Sequence, residues 1–329
     1  QGRQRLRELG ADGIAALRRI IGAPEDVAPQ ELFVRATGLA RQRRRARIEM
    51  VHDVGAEAWR VRWWHDGTLA ILNRGGPVRF RDEAFEWIED RELGSDVSSF
   101  AHSENQKLTA FAQNKTVTLC RADGSRHVLR TKIDRPFIAL SPDGALLALG
   151  GYGRDVHIHG TSDGKWIRMD RSQGTVGALT PVFSPDGKTL AIGNRNGVTK
   201  LFDAKSGNVL HVLERQQTHQ LAFSPSSREL AVAYVDGKIG IWDVETGKLG
   251  RLFDSKAKEV FCVAWSKDAE LLASGGHDGP VVVWSMRYGG SIRELDPDSE
   301  RVWSLAFDPE GRRLVAVGRG RTRIWSIGP

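Results

Sequence analysis

The stretch FSPDGKTLAIGNRNGVTKLFDAKSGNVLHVL, Phe183–Leu213, contains short apolar runs separated by turn sequences. Its Pro-Asp-Gly and Asn-Gly dipeptides favour the tight turns that join neighbouring antiparallel strands. The apolar runs between the turns predict strands that are covered on both faces. One such ribbon cannot bury those faces alone, so the stretch predicts that further copies exist elsewhere in the chain.

Seven related stretches follow one another along the chain. They begin at Trp63, Ala101, Leu140, Phe183, Phe223, Trp265 and Phe307. The residue after the turn acid, or its equivalent, is Gly67, Gln106, Gly144, Gly187, Ser227, Ala269 and Gly311, at intervals of 39, 38, 43, 40, 42 and 42 residues. A period of roughly 40 residues with four short strands per copy is that of a propeller blade. The repeat predicts an all-β ring of seven blades.

Three of these stretches carry the resemblance to a known family. They are IWDVETGKL (Ile241–Leu249), LASGGHDGPVVVWS (Leu272–Ser285) and FSPDGKTLAIG (Phe183–Gly193). Over residues 46–329 the chain resembles the WD40-repeat family, and its SPDG turns, at Ser141–Gly144 and Ser184–Gly187, resemble those of bacterial WD40 proteins. The resemblance implies a seven-bladed WD40 β-propeller preceded by a short N-terminal helical arm.

The family also implies that the last blade borrows its outer strand from the amino-terminal side. The seventh copy stops at TRIWSIGP without a fourth strand. The segment ARIEMVHDVGAEAWRVRWW (Ala46–Trp64) parallels GKLGRLFDSKAKEVFCVAW (Gly247–Trp265). Residues 46–52 are therefore predicted to complete the last blade, which removes an open sheet edge.

The chain departs from the family at the aromatic position that ends the third strand. That position is Phe202, Trp242, Trp284 and Trp325 in the last four copies, but Arg81, Cys120 and His159 in the first three. No copy has the Gly-His pair that usually precedes the first strand, since Gly276-His277 lies in a different loop. The buried His-Ser-Asp-Trp hydrogen-bond network of the family is predicted to be largely missing.

Residues 1–45 form a separate region in the sequence. The spacing of apolar residues, together with the helix-breaking residues that follow them, predicts one helix through Asp12–Gly22 and a second helix from about Pro29. The pair either packs on the propeller flank, which we favour, or ends a preceding domain. The chain opens at Gln1 rather than Met. We therefore expect the propeller to be the C-terminal part of a larger protein.

The arm contains a basic cluster, Arg41, Arg43, Arg44, Arg45 and Arg47. These arginines could bind phosphates of a nucleic acid or of an anionic membrane. The alternative, which we favour, is that they are solvated charges beside the outermost strand. No aromatic side chains alternate with them, as single-strand binders require.

Composition places the chain among globular proteins, with 40% hydrophobic and 27% charged residues in 329. No apolar run approaches the ~20 residues of a membrane-spanning helix. The two cysteines, Cys120 and Cys262, are far apart in sequence and form no CxxC pair. This pattern favours a reducing, cytoplasmic setting without a disulfide framework.

The motifs that would indicate an enzyme are missing. The sequence contains no HExxH, P-loop or GxSxG pattern. His157 and His159 are two residues apart on a predicted strand, so their side chains point to one face and could share a metal. No neighbouring residue completes a ligand set. We therefore expect a packed histidine beside a solvent-facing one. Cys120 is predicted to be a small buried hydrophobe. We expect no catalysis, no metal and no cofactor.

The predicted binding surface is the top face, where the first strand of each blade begins. Counting four residues back from the position before each turn identifies Trp59, Ser98, Pro136, Leu179, His219, Phe261 and Trp303. Blades 5, 6, 7 and 1 are consecutive in a closed ring, so the four ring-bearing residues are predicted neighbours. Arg74, Arg195 and Arg319 are predicted at the rim of the same face, and aromatic clusters with marginal arginine are typical of protein interfaces.

These observations favour a non-catalytic protein-protein interaction scaffold or adaptor. Its partner would be a protein or peptide on the top face, and the chain is expected to be a monomer. The alternative is a nucleic-acid-associated module that uses the basic arm, whose binding would fall steeply with salt. Fold alone does not decide between them.

Overall fold

The structure is a computed structural model of the chain. It describes residues 10–23, 27–28, 31–32, 34–36, 38, 48–53, 58–64, 66–73, 76–82, 87–93, 96–103, 108–151, 156–162, 166–168, 178–297, 300–319 and 321–327. Within these ranges a helix, α1 (Gly10–Ile20), precedes 28 strands that form seven four-stranded antiparallel sheets. Further helical residues lie between positions 31 and 38.

The first three sheets are consecutive in the chain. Blade 1 contains β2 (Arg60–Trp63), β3 (Leu69–Leu72), β4 (Val78–Arg81) and β5 (Trp87–Leu93). Blade 2 contains β6 (Ser99–Ser103), β7 (Leu108–Gln113), β8 (Thr116–Cys120) and β9 (Arg126–Arg130). Blade 3 contains β10 (Phe137–Leu140), β11 (Leu146–Gly150), β12 (His157–Gly160) and β13 (Trp166–Arg168).

The next three sheets repeat this order. Blade 4 contains β14 (Ala178–Phe183), β15 (Thr189–Asn194), β16 (Val198–Asp203) and β17 (Val209–Glu214). Blade 5 contains β18 (Thr218–Phe223), β19 (Glu229–Tyr234), β20 (Lys238–Asp243) and β21 (Leu249–Asp254). Blade 6 contains β22 (Glu259–Trp265), β23 (Leu271–His277), β24 (Val281–Ser285) and β25 (Gly290–Leu295).

The seventh sheet joins the two ends of the propeller. Blade 7 contains β26 (Val302–Phe307), β27 (Arg313–Gly318), β28 (Arg321–Ile327) and, as its outer strand, β1 (Ile48–Asp53). β1 pairs antiparallel with β28, from Ile48 opposite Ile327 to Asp53 opposite Arg323. The domain limits at residues 45 and 46 stay a prediction, because residues 39–47 lie outside the described part of the chain.

The seven blades close into a ring through their innermost strands. β6 contacts β10, and the contacts continue through β14, β18, β22 and β26 to β2. Blades 1 and 2 meet through an apolar cluster that includes Trp64, Phe80, Phe100 and Phe111. The prediction of a seven-bladed propeller is confirmed.

The blades are held together by apolar clusters between neighbouring sheets. Among the described residues, seven such clusters occupy the seven interfaces of the ring. Between blades 5 and 6, for example, the rings of Phe253 and Trp284 stack at 4.9 Å. Burial of one such large side chain contributes roughly 1.5–3 kcal/mol. Because the inner part of each sheet is covered on both faces, its second strand is almost fully buried, as in Thr189–Asn194, where all six residues are buried. The outer strands, such as Arg126–Arg130, are more exposed.

The turn between the first and second strands of a blade is built by its own side chains. In blade 3 the Ser141 hydroxyl donates to Asp143, which also accepts from the backbone N–H of Ala145 at 3.0 Å. The Ser141 hydrogen bond, its largest cause, lowers the pKa of Asp143. The next residue is left-handed, with φ +69° at Gly144. Ser227 and Ala269 take the same backbone at φ +62° and +59° in their own turns, which favours glycine.

Two tryptophans in the third strands, Trp284 and Trp242, have hydrogen-bond partners of different kinds. The indole N–H of Trp284 donates to the Ser274 hydroxyl at 2.9 Å, so blade 6 keeps the Ser-Trp part of the His-Ser-Asp-Trp network. In blade 5 the indole N–H of Trp242 donates to the Tyr234 hydroxyl at 2.7 Å. These buried polar groups are satisfied within their own sheets.

Described residues of the amino-terminal arm pack on the flank of the propeller. Ile21 and Leu32 are buried in the cluster between blades 6 and 7. Gly22 is left-handed at φ +59°, and a Cβ there would lie 2.8 Å from the Leu252 carbonyl oxygen. No helix in the described ranges combines the length and apolarity that a bilayer crossing needs.

Candidate interaction surface

The innermost strands β14, β18, β22 and β26 each carry a bulge at the top face, and in the last three the bulge presents a ring-bearing side chain. The pairing register shifts by one residue in β18, β22 and β26, and the residues left out of the ladder are His219, Phe261 and Trp303. A bulge turns the extra side chain away from the sheet. In blade 1, Trp59 lies just before β2 and its backbone N–H donates to the Leu72 carbonyl at 2.7 Å.

The bulge in β22 depends on glycine in the neighbouring strand. Gly276 lies opposite Val260, next to the point where the register shifts. A Cβ at Gly276 would lie 1.8 Å from the carbonyl oxygen of Glu259. Because the obstacle is backbone, no side-chain rotation could relieve it. Gly276 therefore permits the close strand approach that aims Phe261 at the top face.

The four ring-bearing residues predicted from the sequence form one contiguous series, which we call the aromatic row. The centroids of Trp59 and Trp303 are 4.9 Å apart, and those of Trp303 and Phe261 are 5.1 Å apart with nearly parallel planes at 10°. His219 meets Phe261 edge-on at 4.9 Å and 88°. Trp59 is 38% exposed, and the other three side chains are partly exposed. The row thus spans blades 5, 6, 7 and 1 and remains accessible.

A histidine whose burial disfavours its charged form, His219, ends the row in blade 5. Burial, the largest cause, lowers the pKa of His219, and the nearby charge of Arg195 also lowers it. Glu259 of blade 6 lies 2.9 Å from the His219 Nε2 and acts in the opposite direction. The net effect is a pKa of His219 below the ordinary value of a histidine, which disfavours the charged imidazole. The row therefore presents an apolar surface with one polar contact at its end.

Arginines lie around the row, as the sequence predicts in part. Arg195 and Arg319 are exposed in turns of blades 4 and 7. The backbone N–H of Arg319 donates to the carbonyl of Arg301, whose guanidinium carbon is 5.6 Å from the Trp303 ring centre. Arg301 was not predicted, although it precedes Trp303 by only two residues. The predicted residue Arg74 lies outside the described part of the chain.

The other residues predicted at the top face or in the basic cluster do not extend the aromatic row. The Ser98 hydroxyl donates to the Ala112 carbonyl at 3.2 Å, and Pro136 is buried. The side chain of Leu179 lies outside the description, as do the arginines of the basic cluster, Arg41, Arg43, Arg44, Arg45 and Arg47.

The histidine pair of blade 3 shows no feature of a metal site. The rings of His157 and His159 are 6.1 Å apart and tilted by 53°. Within the described residues, no group of three or more His, Cys, Asp or Glu side chains could hold a metal ion. Both histidines are partly buried, so the predicted contrast between a packed and a solvent-facing partner is weak.

A cavity of about 890 Å³ lies away from the aromatic row, between α1 and the outer strands of blades 5 and 6. Several cations line it, but they bind groups of the protein itself. Lys256 forms an ion pair with Glu294 at 3.1 Å, and Arg18 donates to the Val27 carbonyl at 2.9 Å. Arg251 donates to the Met286 carbonyl. Each of these three cations therefore has a partner within the protein, although the buried Nε of Arg18 has none among the described residues.

Comparisons with known proteins agree with the geometry. Residues 138–220 and 214–268 match the family model of the anaphase-promoting complex subunit 4 WD40 domain. Residues 289–326 match the model of the WD domain, G-beta repeat. The matched regions cover blades 3 to 5, the first and last strands of blade 6 and the three strands of blade 7 up to residue 326. The chain therefore contains WD40 repeats.

Two curated relatives show partial similarity. WD repeat-containing protein 82 of Drosophila melanogaster is 27% identical over 150 residues, which cover 43% of this chain and 47% of that protein. A guanine nucleotide-binding protein subunit beta of Oryza sativa subsp. indica is 30% identical over 105 residues, or 28% of each chain. The matches span less than half the length of either relative. Both relatives are eukaryotic, and the bacterial character of the repeats stays a prediction.

A solved structure shares the whole architecture. The β-propeller domain of Cps50 (Swd1) from Myceliophteria thermophila superposes with a TM-score of 0.72. The match covers 86% of this chain and 100% of that one at 19% identity. At this level of identity the similarity shows the fold alone.

Proposed function

We propose that this chain, a seven-bladed propeller of WD40 repeats, is a non-catalytic scaffold that binds a protein or peptide partner across the aromatic row. The observation that carries the proposal is the unbroken contact of Trp59, Trp303, Phe261 and His219 on one accessible face. These side chains come from four blades. Each blade contributes one ring, so the surface exists only when the propeller is closed.

The dimensions of the row suit an extended peptide. Successive ring centroids are separated by 4.9, 5.1 and 4.9 Å. An extended chain rises about 3.3 Å per residue, so roughly four to five residues would lie along the rings. Tryptophan and arginine are the residue types that contribute most often to binding energy at protein interfaces. The row with Arg301 at its margin has this composition.

The names of similar proteins support a role within assemblies. One matching family is named for a subunit of the anaphase-promoting complex, and one relative is a subunit of a guanine nucleotide-binding protein. We extend this role to the present chain as part of the proposal. We also place the scaffold inside the cell, because the thiols of Cys120 and Cys262 are both free and suit a reducing compartment.

The proposal is tested by removing the two indoles of the row. Purified wild-type chain and the double variant Trp59→Ala, Trp303→Ala are used to capture partners from the native cell extract, and each captured partner is then purified. We expect the double variant to bind a purified partner at least about 30-fold more weakly, since interface anchors contribute roughly 2 kcal/mol or more.

A matched control keeps the test specific. Val128 is 57% exposed on β9, the outer strand of blade 2. Val128→Ala removes an exposed apolar side chain away from the row and is expected to leave binding unchanged. Equal recovery of every partner by the wild-type chain and the double variant would remove the aromatic row from the binding surface.

A further inference from the structure

The innermost strands surround the central channel of the ring, and the residue that follows each top-face position belongs to a second layer. One step along each innermost strand lie Arg60, Ser99, Phe137, Thr180, Gln220, Cys262 and Ser304. All seven are described, and Arg60 is the one charged member. The count along the sequence that identifies the aromatic row, advanced by one residue in each blade, identifies this layer.

Three neutral polar members of this layer, Ser99, Gln220 and Ser304, bind the backbone of the next blade. The Ser99 hydroxyl accepts from the Ile138 N–H at 3.2 Å, and the Gln220 side-chain oxygen accepts from the Val263 N–H at 2.8 Å. The Ser304 hydroxyl is 3.3 Å from the Val61 N–H. These side chains act as acceptors that join blades. Arg60 carries donors only, so it cannot serve in this way.

Arg60 instead extends across the ring of innermost strands. Its guanidinium donates to the Ser99 hydroxyl of blade 2 at 3.1 Å and to the Thr180 hydroxyl of blade 4 at 3.4 Å. The guanidinium carbon also lies 5.5 Å from the centre of the Phe137 ring in blade 3. The side chain of one blade therefore meets three others. The aromatic row covers blades 5, 6, 7 and 1, so the row and Arg60 together surround the channel mouth.

The charge of Arg60 is not neutralised by the described part of the chain. Its contacts there are two hydroxyls and an aromatic ring, with no carboxylate among them. Burial and the neighbouring charge of Arg62 lower the pKa of Arg60 to about 10. Both causes disfavour the cation, yet at neutral pH the group stays charged. A partly buried cation without a counter-charge attracts an anion.

The channel below adds no acidic group in the next layer. Two residues farther along each innermost strand lie Arg62, Ala101, Ala139, Val182, Ala222, Ala264 and Ala306. Six of these side chains are small and apolar, and the seventh is a second arginine. The upper channel therefore has positive charge in a weakly polar wall, where electrostatic attraction is less screened than at an open surface.

We propose that the channel mouth is a carboxylate-binding site, which receives an Asp or Glu side chain of the partner peptide that lies on the aromatic row. This inference rests on the proposed function and names the chemistry of its partner. Arginine binds a carboxylate with two parallel hydrogen bonds, a geometry that an ammonium group does not offer. An unmodified peptide long enough to cover the row supplies that anion from its own side chains.

The test uses short random-sequence peptides with one fixed central residue. Three fluorescent pools carry Glu, Gln or phosphoserine at that position, and their binding to the full chain is measured by anisotropy. A charge-assisted hydrogen bond contributes roughly 1.5–3 kcal/mol, so the Glu pool is expected to bind about 10- to 100-fold more tightly than the Gln pool. A stronger preference for the phosphoserine pool than for the Glu pool would overturn the assignment to a carboxylate.

Variants separate this site from the row. Arg60→Gln is expected to remove the preference for Glu over Gln while residual binding of the Gln pool persists. Arg60→Lys keeps the charge without the paired donors, so it should retain a reduced preference and covers the case in which Arg60→Gln fails to fold. Trp303→Ala is expected to weaken both pools.

The outcomes distinguish the two proposals. Binding of the Glu and Gln pools with equal affinity, or an undiminished preference in Arg60→Gln, would overturn the carboxylate site and leave the row in place. Absence of binding by every pool would overturn both the row as a peptide surface and the site that depends on it.

Discussion

Replacing Gly276 by alanine is expected to disturb the bulge that presents Phe261. The added Cβ would lie 1.8 Å from the Glu259 carbonyl oxygen and 2.9 Å from the Cα of Val260. Real Cβ atoms do not approach this closely, so β22 and β23 must separate at this point. The expected consequences are a less stable blade 6 and a displaced Phe261 ring.

The magnitude follows from the contacts that such a separation breaks. Two ladder hydrogen bonds contribute about 1 kcal/mol each, and forced overpacking costs about 1–3 kcal/mol. The free energy of unfolding should therefore fall by about 3–5 kcal/mol. At about 2 °C per kcal/mol for a large domain, the apparent Tm should fall by on the order of 6–10 °C.

The assay is thermal and urea unfolding of the wild-type chain and two variants at one scan rate. The matched control is Gly250→Ala on β21, where a Cβ would meet its nearest atom, the Ile241 carbonyl oxygen, at an ordinary 3.4 Å. This control is expected to change stability by no more than about 0.5 kcal/mol. Wild-type stability for Gly276→Ala, or an equal loss for Gly250→Ala, would refute the dependence of the bulge on Gly276.

Three further predictions concern single side chains. Ala269→Gly should raise the free energy of unfolding by about 1 kcal/mol in urea titrations, because alanine at φ +59° is strained. A lower stability of this variant would show that the turn carries no strain. Burial raises the pKa of both thiols, most strongly that of the fully buried Cys262. A thiol reagent should therefore label the partly exposed Cys120 first. Labelling of Cys262 before Cys120 in the folded chain would contradict the burial of Cys262. His219 should titrate below its ordinary pKa of 6.5 in NMR, and Glu259→Gln should lower this pKa further. Because the unfolded chain then binds the proton more readily, His219 stabilises the fold fully above about pH 6.5. This stabilisation is lost as the pH falls through the folded pKa. A folded pKa above 6.5 would reverse the direction of this pH dependence.

The fold could be predicted because its signals are local and repeated. The turn residues, such as Asp143 and Gly144, bind within their own hairpins, so each copy of the repeat specifies its own first turn. The spacing of those turns then sets the number of blades. The contact of Trp59 with Trp303 followed from the same spacing, because closure of the ring places the first blade beside the last.

The parts that escaped prediction depend on contacts between blades. Arg301 reaches the Trp303 ring through its side-chain torsions, which sequence spacing does not specify. His219 meets Glu259 across the interface of blades 5 and 6. Arg60 could have been identified from the sequence. When the count that gives the top-face positions is advanced by one residue, Arg60 is the one charged residue among the seven that it gives. The bulge of β22 depends on Gly276, whose role appears only once β22 and β23 are paired.

The central claim is that the ring closes and thereby forms the aromatic row from its first and last blades. A double-mutant cycle on Trp59→Ala and Trp303→Ala, read by the free energy of unfolding, measures this contact directly. For rings 4.9 Å apart we expect a coupling energy of about 0.5–1.5 kcal/mol. Two effects that add to within about 0.3 kcal/mol would show that these side chains do not meet, and would contradict the closed ring and the surface built on it.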